Sequence, residues 1–242
     1  WDVVFDARGN FHEPHTGVIV PLGTIPVRNY LDGVGEISNG HGIQIAGGGL
    51  YPTHGPFNRF KALLFLEKEG FQPLFKKVKL AERYDIAIMS TKGLSVIASR
   101  ILVDQLCGEH GIPLLVLHDF DKAGFSIVGT LSRDTRRYSF KNDIEVIDLG
   151  LRLSDVEAYQ LESEAVHVKS NPTENLLKNG ATQKEVDVLR SGRRVELNAF
   201  TRGDFVTWNE AKLDEHGITK VVTDGSVLDQ AFRRTLTHAR LT

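Results

Sequence analysis

Glu67, Asp119 and Asp121 are the residues of this 242-residue chain best placed to do chemistry together. The run Ala62-Leu63-Leu64-Phe65-Leu66 ends at Glu67, and the run Pro113-Leu114-Leu115-Val116-Leu117 ends one residue before Asp119-Phe120-Asp121. A third run, Ile86-Ala87-Ile88-Met89, closes on Ser90-Thr91-Lys92-Gly93. Short apolar runs separated by segments of helical spacing read as strands of a parallel sheet joined by helices. Loops that leave such strands gather at one edge of the sheet, where open α/β folds build their sites. Residues two apart on extended chain point the same way, so Asp119 and Asp121 are expected to face one point while Phe120 turns to the core. If strands 62–66 and 113–117 are neighbours, about 4.8 Å apart, Glu67 joins the pair. Clustered carboxylates repel one another unless a cation lies among them. An all-oxygen set suits a hard divalent ion, and Mg²⁺ is the natural choice because it accepts few carboxylates, keeps waters and bridges to phosphate oxygens. The chemistry that suits such a site is phosphoryl transfer on a phosphodiester or nucleotide. Taken singly, Asp-x-Asp after a strand and Glu-Lys-Glu-Gly at a helix start are common. Their order on successive strand–helix units carries the reading.

Strands are expected over 62–66, 86–89, 113–117 and 144–149, and helices over 71–79, 94–108 and 123–134, with the short connections of βαβ units. Beyond Gly150, helices are expected over 153–161 and 182–189. Ser154 and Thr182 stand as N-caps, with Glu157 and Glu185 at the capping-box position. Asn171-Pro172-Thr173-Glu174 begins another short helix, and 208–216 and 226–240 are read as helical. Before the core, residues 1–56 are rich in Gly and Pro and read as short strands and turns. The Gly-Gly-Gly at 47–49 is not a phosphate loop, because no Lys-Ser or Lys-Thr follows it. Three parts result: a strand-and-turn segment over 1–56, an α/β domain over 57–200 and a helical extension over 201–242.

Composition sets the outer limits. With 41% hydrophobic residues, 25% charged residues and 23 glycines, the chain has the make-up of a globular domain with a substantial core. No apolar run approaches the roughly 18 residues that a membrane span needs, so no membrane partner is expected. The single cysteine, Cys107, sits among apolar residues and reads as a buried structural thiol, which fits a reducing, intracellular setting. A net charge of −2 does not mark a nucleic-acid binder. Basic groups do cluster at Lys76, Lys77 and Lys79, at Arg133, Arg136 and Arg137, and at Arg190, Arg193 and Arg194, and these form a phosphate track if the fold brings them to one face.

The motif set resembles a Toprim domain of the kind found in Spo11, a meiotic protein, and in its relative, the topoisomerase VI A subunit. The resemblance rests on Leu66-Glu67-Lys68-Glu69-Gly70, Thr91-Lys92-Gly93 and Asp119-Phe120-Asp121 with Ala123-Gly124, and on Arg194-Val195-Glu196-Leu197-Asn198-Ala199 near the domain end. It covers about residues 59–200 and implies a Rossmann-like parallel sheet flanked by helices, with the Gly-rich segment as a β-containing connector ahead of it and helices after it. It also implies roles. Glu67 would be a metal ligand or a proton-transfer group, Asp119 and Asp121 would bind Mg²⁺, and Lys92 would approach a DNA phosphate. The partners implied are DNA, with a second copy of the chain and/or other subunits, in the cytoplasm (on the nucleoid) or the nucleus. Enzymes of this kind cut DNA with a tyrosine on a separate upstream winged-helix domain. None of Tyr30, Tyr51, Tyr84, Tyr138 and Tyr159 lies in such a motif, and Arg136-Arg137-Tyr138 reads as a surface turn. The chain, which starts at Trp1, is therefore expected to be the metal-binding half of a longer protein.

Other readings remain open on sequence alone. A Toprim nuclease would use metal-activated water in place of the tyrosine. A non-catalytic DNA-binding or assembly module would use the metal to organise an interface. A haloacid-dehalogenase-type phosphatase also carries Asp-x-Asp after a strand, but there the pair usually opens the domain and precedes a threonine. His118 is expected to point away from Asp119 as a packed or surface histidine, Glu69 to serve as a helix-start acid, Glu196 to support the site or form a structural ion pair, and His12-Glu13-Pro14-His15 to bind no metal.

Overall fold

The computed structural model describes residues 4–14, 17–32, 60–91, 97–131, 133–134, 138–168 and 171–221. Lys92, most of the Gly-rich stretch and the expected helix over 226–240 lie outside the described residues. The described chain runs β1 (Asn10–His12), β2 (Ile19–Pro21), α1 (Thr24–Leu31), β3 (Ala62–Leu66), α2 (Gln72–Lys77), α3 (Leu80–Tyr84), β4 (Ile86–Ser90) and α4 (Ile97–Val103). It continues through β5 (Leu114–Leu117), α5 (Lys122–Leu131), β6 (Val146–Asp148), α6 (Leu153–Ala158), β7 (Glu164–Ala165), α7 (Thr173–Lys178), α8 (Gln183–Arg190), β8 (Arg193–Arg194) and α9 (Arg202–Glu215).

One six-stranded sheet of order β2-β1-β4-β3-β5-β6 organises the molecule. Strands β3 to β6 are parallel, and β1 runs antiparallel to both β4 and β2. Every residue of β3, β4 and β5 is buried, as expected of parallel strands covered on both faces. Alternation divides their side chains between two cores. Leu64, Leu66, Ile88 and Leu117 pack with Phe75, Phe125, Phe205 and Trp208, while Phe65, Met89 and Val116 pack with Phe11, Leu102 and Ile127 on the opposite face. The expected parallel α/β sheet flanked by helices is thus the observed architecture.

The structure corrects several local expectations. The helix expected over 71–79 is broken. A 3₁₀ turn at Glu69–Phe71 leads into α2, and Lys79 takes a left-handed conformation (φ 52°) before α3 begins. That turn redirects the chain so that Leu80 and Tyr84 enter the core. The helix expected over 94–108 ends as α4 at Val103 and widens into a π-turn at Asp104–Glu109. There the buried Asp104 carboxylate accepts bonds from the Tyr138 hydroxyl (2.7 Å) and the Lys141 and Asn142 amides (3.0 and 3.2 Å). Burial alone would raise the Asp104 carboxyl, but these bonds hold it below its ordinary range. Tyr138 is therefore an anchored, part-buried group, while Arg136 and Arg137 of the expected surface turn lie outside the described residues.

In the segment read as strands and turns, α1 was not foreseen. Pro26 falls in its first turn, where a missing N–H costs nothing. At α6 the reciprocal bond comes from the Arg152 amide to Asp155 Oδ2 (3.0 Å), two residues before the expected Ser154 cap. The Thr182–Glu185 box is as expected, with the Thr182 amide donating to Glu185 Oε2 at 2.7 Å. Helix α9 starts at Arg202, capped by Thr201, and so begins well before the expected 208.

Candidate active site

The register fixes which residues leave the sheet together. Leu66 pairs with Ser90 on one side and with Leu117 on the other, so Glu67, Thr91 and His118 emerge side by side. Thr91 donates its amide to Leu66 O at 3.2 Å, which holds the β4 exit against the β3 exit.

The β5 exit is held by its neighbours. Phe120 is fully buried, as alternation requires, and makes a bridge to Val195 through two backbone bonds of 2.9 and 3.1 Å. The segment after β8 therefore lies alongside the Asp119 loop. The buried Asp119 carboxylate accepts the Leu197 amide on Oδ1 (2.8 Å) and meets Lys68 Nζ at Oδ2 (2.7 Å). Lys68 Nζ also bonds Glu196 Oε2 (2.9 Å), and Glu196 Oε1 pairs with Arg194 (3.0 Å). Burial would lower the Lys68 ammonium, but bonds to Asp119 and Glu196 raise it above its ordinary value.

Asp121 begins a helix rather than continuing a strand. Its Oδ1 accepts the Gly124 amide at 2.6 Å, a bond that caps α5. A Cβ on Gly124 would collide with the Asp119 carbonyl and the His118 ring, so glycine here lets α5 close on the loop. The two aspartates consequently diverge. Asp119 is turned to Lys68 and Leu197, whereas Asp121 opens with Glu67 into a cavity of about 550 Å³. The three carboxylates still sense one another. Burial raises the Glu67 carboxyl, Asp121 and Asp119 raise it further, and Lys68 and His118 oppose the shift. Burial likewise raises Asp121, assisted by Asp119 and opposed by the Gly124 amide, His118 and Arg194.

His118 holds the scaffold together. It is completely buried, with Nδ1 2.7 Å from the Asp119 carbonyl and Nε2 3.0 Å from Asp148 Oδ1. Asp148 in turn accepts the Gly150 amide (2.8 Å) and pairs with Arg152 (3.0 Å), which reaches Glu185 (2.8 Å). Burial pushes the Asp148 carboxyl up, but the His118 contact, the Gly150 amide and Arg152 together hold it below its ordinary range. Any Cβ on Gly150 would overlap the imidazole, so this position needs glycine. The histidine expected simply to pack thus ties the β5 exit to the β6 exit and, through Arg152, to α8.

Among the described residues, no three His, Cys, Asp or Glu side chains converge as a ready-made metal cage. The donor chemistry nevertheless fits Mg²⁺, which binds through one or two carboxylates and leaves its other positions to water and phosphate oxygens. The half-buried Glu67 and Asp121 supply such oxygens on one cavity wall. Lys68 shows in addition that this edge already draws a cation to its acids.

Lys68, Arg194 and the His118–Asp148 pair were not foreseen as parts of the site. Lys68 was legible as the neighbour of Glu67, but its partners Asp119 and Glu196 lie 51 and 128 positions away, and only the fold joins them. Glu69, expected as a helix-start acid, does stand in the first turn of its 3₁₀ segment and accepts Asn10 Nδ2 at 3.0 Å. Cys107 is buried, as expected of a structural thiol, and burial pushes its thiol far up. Among the described residues no tyrosine lines the carboxylate cavity.

Residues 62–211 match the family model of the Toprim domain shared by Spo11 and the A subunit of topoisomerase 6. A comparison with curated proteins finds no match.

Proposed function

The chain belongs to the Toprim family of Spo11 and the topoisomerase VI A subunit, and on that premise we propose that it is the metal-binding part of a protein that cleaves DNA strands. The observation that carries this reading is the shared cavity of Glu67 and Asp121, with Asp119 buried one turn of chain away and electrostatically coupled to both. Glu67, Asp121 and, after release from Lys68, Asp119 would hold Mg²⁺. When bound, the ion supplies charge that offsets the negative charge gathering on a phosphodiester under attack. The residues themselves do the positioning. Gly124 and the bridge to Val195 fix the aspartate loop, His118 anchors it from below through Asp148, and Lys68 compensates the buried Asp119 charge. The attacking group comes from elsewhere, in keeping with a cavity that no described tyrosine lines.

Supercoiled plasmid tests this reading. With Mg²⁺, the chain alone is expected to leave plasmid intact. Addition of a tyrosine-bearing partner domain is expected to give cleavage with a covalent protein–DNA adduct, and Asp119→Ala to reduce that cleavage by about 100-fold or more. Adduct-free nicking by the chain alone, lost in Asp119→Ala, would replace the tyrosine route with metal-activated water. Cleavage indifferent to Asp119→Ala would overturn the reading.

A further inference from the structure

The cavity that receives Glu67 and Asp121 is not wholly polar. Val166, Val168, Pro172 and Leu189 line it beside Arg193 and Arg194. Val166 and Val168 are each 37% exposed. They belong to a ribbon held against β8. The Val166 amide donates to Gly192 O at 2.7 Å, and Gly192 adopts φ +82° with its Cα packed on the Val166 carbonyl, where a Cβ has no room. Arg194 is fixed by Glu164 (2.8 Å) and Glu196 (3.0 Å), while Arg193 is exposed. The wall is thus built from backbone pairing and from ion pairs that continue through Glu196 and Lys68 to Asp119.

An apolar surface and free cationic charge in one recess match a single nucleotide unit, which has an apolar base face and an anionic phosphate. A duplex keeps its base faces stacked inside and offers such a recess only its backbone. A base displaced from the stack can enter it, and proteins that receive displaced bases sandwich them between apolar side chains. The volume, about 550 Å³, falls in the range of small-ligand sites. We propose that this recess takes up one unpaired nucleotide of the DNA next to the cleavage point, the base lying against Val166 and Val168 and the phosphate against Arg193. The assignment rests on the DNA-cleavage reading above. It gives the protein a preference for DNA in which a base is already free, or is freed at little cost, beside the phosphate to be cut.

Three DNAs separate the outcomes: a labelled duplex, the same duplex with one bulged thymine, and the same duplex with an abasic nucleotide in the bulge. Fluorescence anisotropy in Ca²⁺ buffer, using the full 242-residue chain, reads their affinities. The bulged thymine is expected to bind about tenfold more tightly than the other two, the gain expected from burying roughly 55 Å² of apolar surface. The double variant Val166→Ser/Val168→Ser is expected to cut that advantage to about twofold or less, with duplex affinity unchanged. Both side chains are exposed, so the fold should survive, and an unaltered melting temperature verifies this. Equal affinity for thymine and abasic bulges, or an advantage that persists in the double variant, overturns the nucleotide recess while leaving DNA binding intact. Failure to bind any of the three overturns the DNA-cleavage reading itself and the recess with it.

Discussion

Saturating Mg²⁺ is expected to raise the melting temperature of this chain by roughly 5–10 °C, and Asp121→Asn is expected to remove most of that rise. An ion bound only by the folded state, at one hundred times its Kd, stabilises by about 2.7 kcal/mol, and a chain of this size gains about 2–4 °C per kcal/mol. Asparagine keeps the shape of Asp121 and an oxygen for the Gly124 amide, so the α5 cap remains and only the charge is lost. The pH dependence has a defined sign. The Glu67 and Asp121 carboxyls hold protons more tightly folded than unfolded, chiefly because of burial. Their ionisation therefore destabilises the metal-free fold fully above the folded pKa values, and acidification through those values relieves the cost. Protons and metal compete for the same oxygens, so the Mg²⁺ gain should be larger at pH 8 than at pH 5. Equal gains in wild type and Asp121→Asn, measured by thermal melting with and without chelator, would remove Asp121 from metal binding.

The second large effect concerns Lys68. Lys68→Met is expected to lower stability by about 2 kcal/mol in chelator, and by less in saturating Mg²⁺. Removal of one partner of a buried ion pair costs about 3–5 kcal/mol because the other charge is left uncompensated, and access of water to the lysine reduces that figure. The side chains are 36% exposed for Lys68 and 7% for Asp119, so the carboxylate carries most of the loss. A nearby divalent ion would restore part of the missing charge. The lysine holds its proton more tightly in the folded state. Its contribution is therefore complete below about pH 10.4 and is lost as pH rises through the folded value, so the variant should also show a flatter alkaline limb. Chemical denaturation of both proteins with and without Mg²⁺ measures the difference. An unchanged stability in chelator would mean that Asp119 finds another cation.

Much of the fold was legible because parallel strands buried on both faces write themselves as unbroken apolar runs. The runs at Ala62–Leu66 and Leu114–Leu117 showed where the sheet lies and which acids leave it. The capping box at Thr182 was readable for a similar reason, since its two partners sit three residues apart. What escaped was set by contacts distant in sequence. Alternation predicted that Asp119 and Asp121 would face one point, but the chain leaves extended geometry after Phe120. Asp121 is recruited as a helix cap, and Asp119 is turned by an amide from Leu197. Nothing near Lys68 announces Glu196, and nothing near His118 announces Asp148. The break at Lys79 reflects the burial of Leu80 and Tyr84, which local helical spacing does not encode.

Anomalous diffraction from crystals of the chain soaked in Mn²⁺ locates the divalent ion. A peak coordinated by carboxylate oxygens of Glu67 and Asp121 at the sheet edge is expected. A peak bound by other residues, or none at a Mn²⁺ concentration that raises the melting temperature, would contradict it.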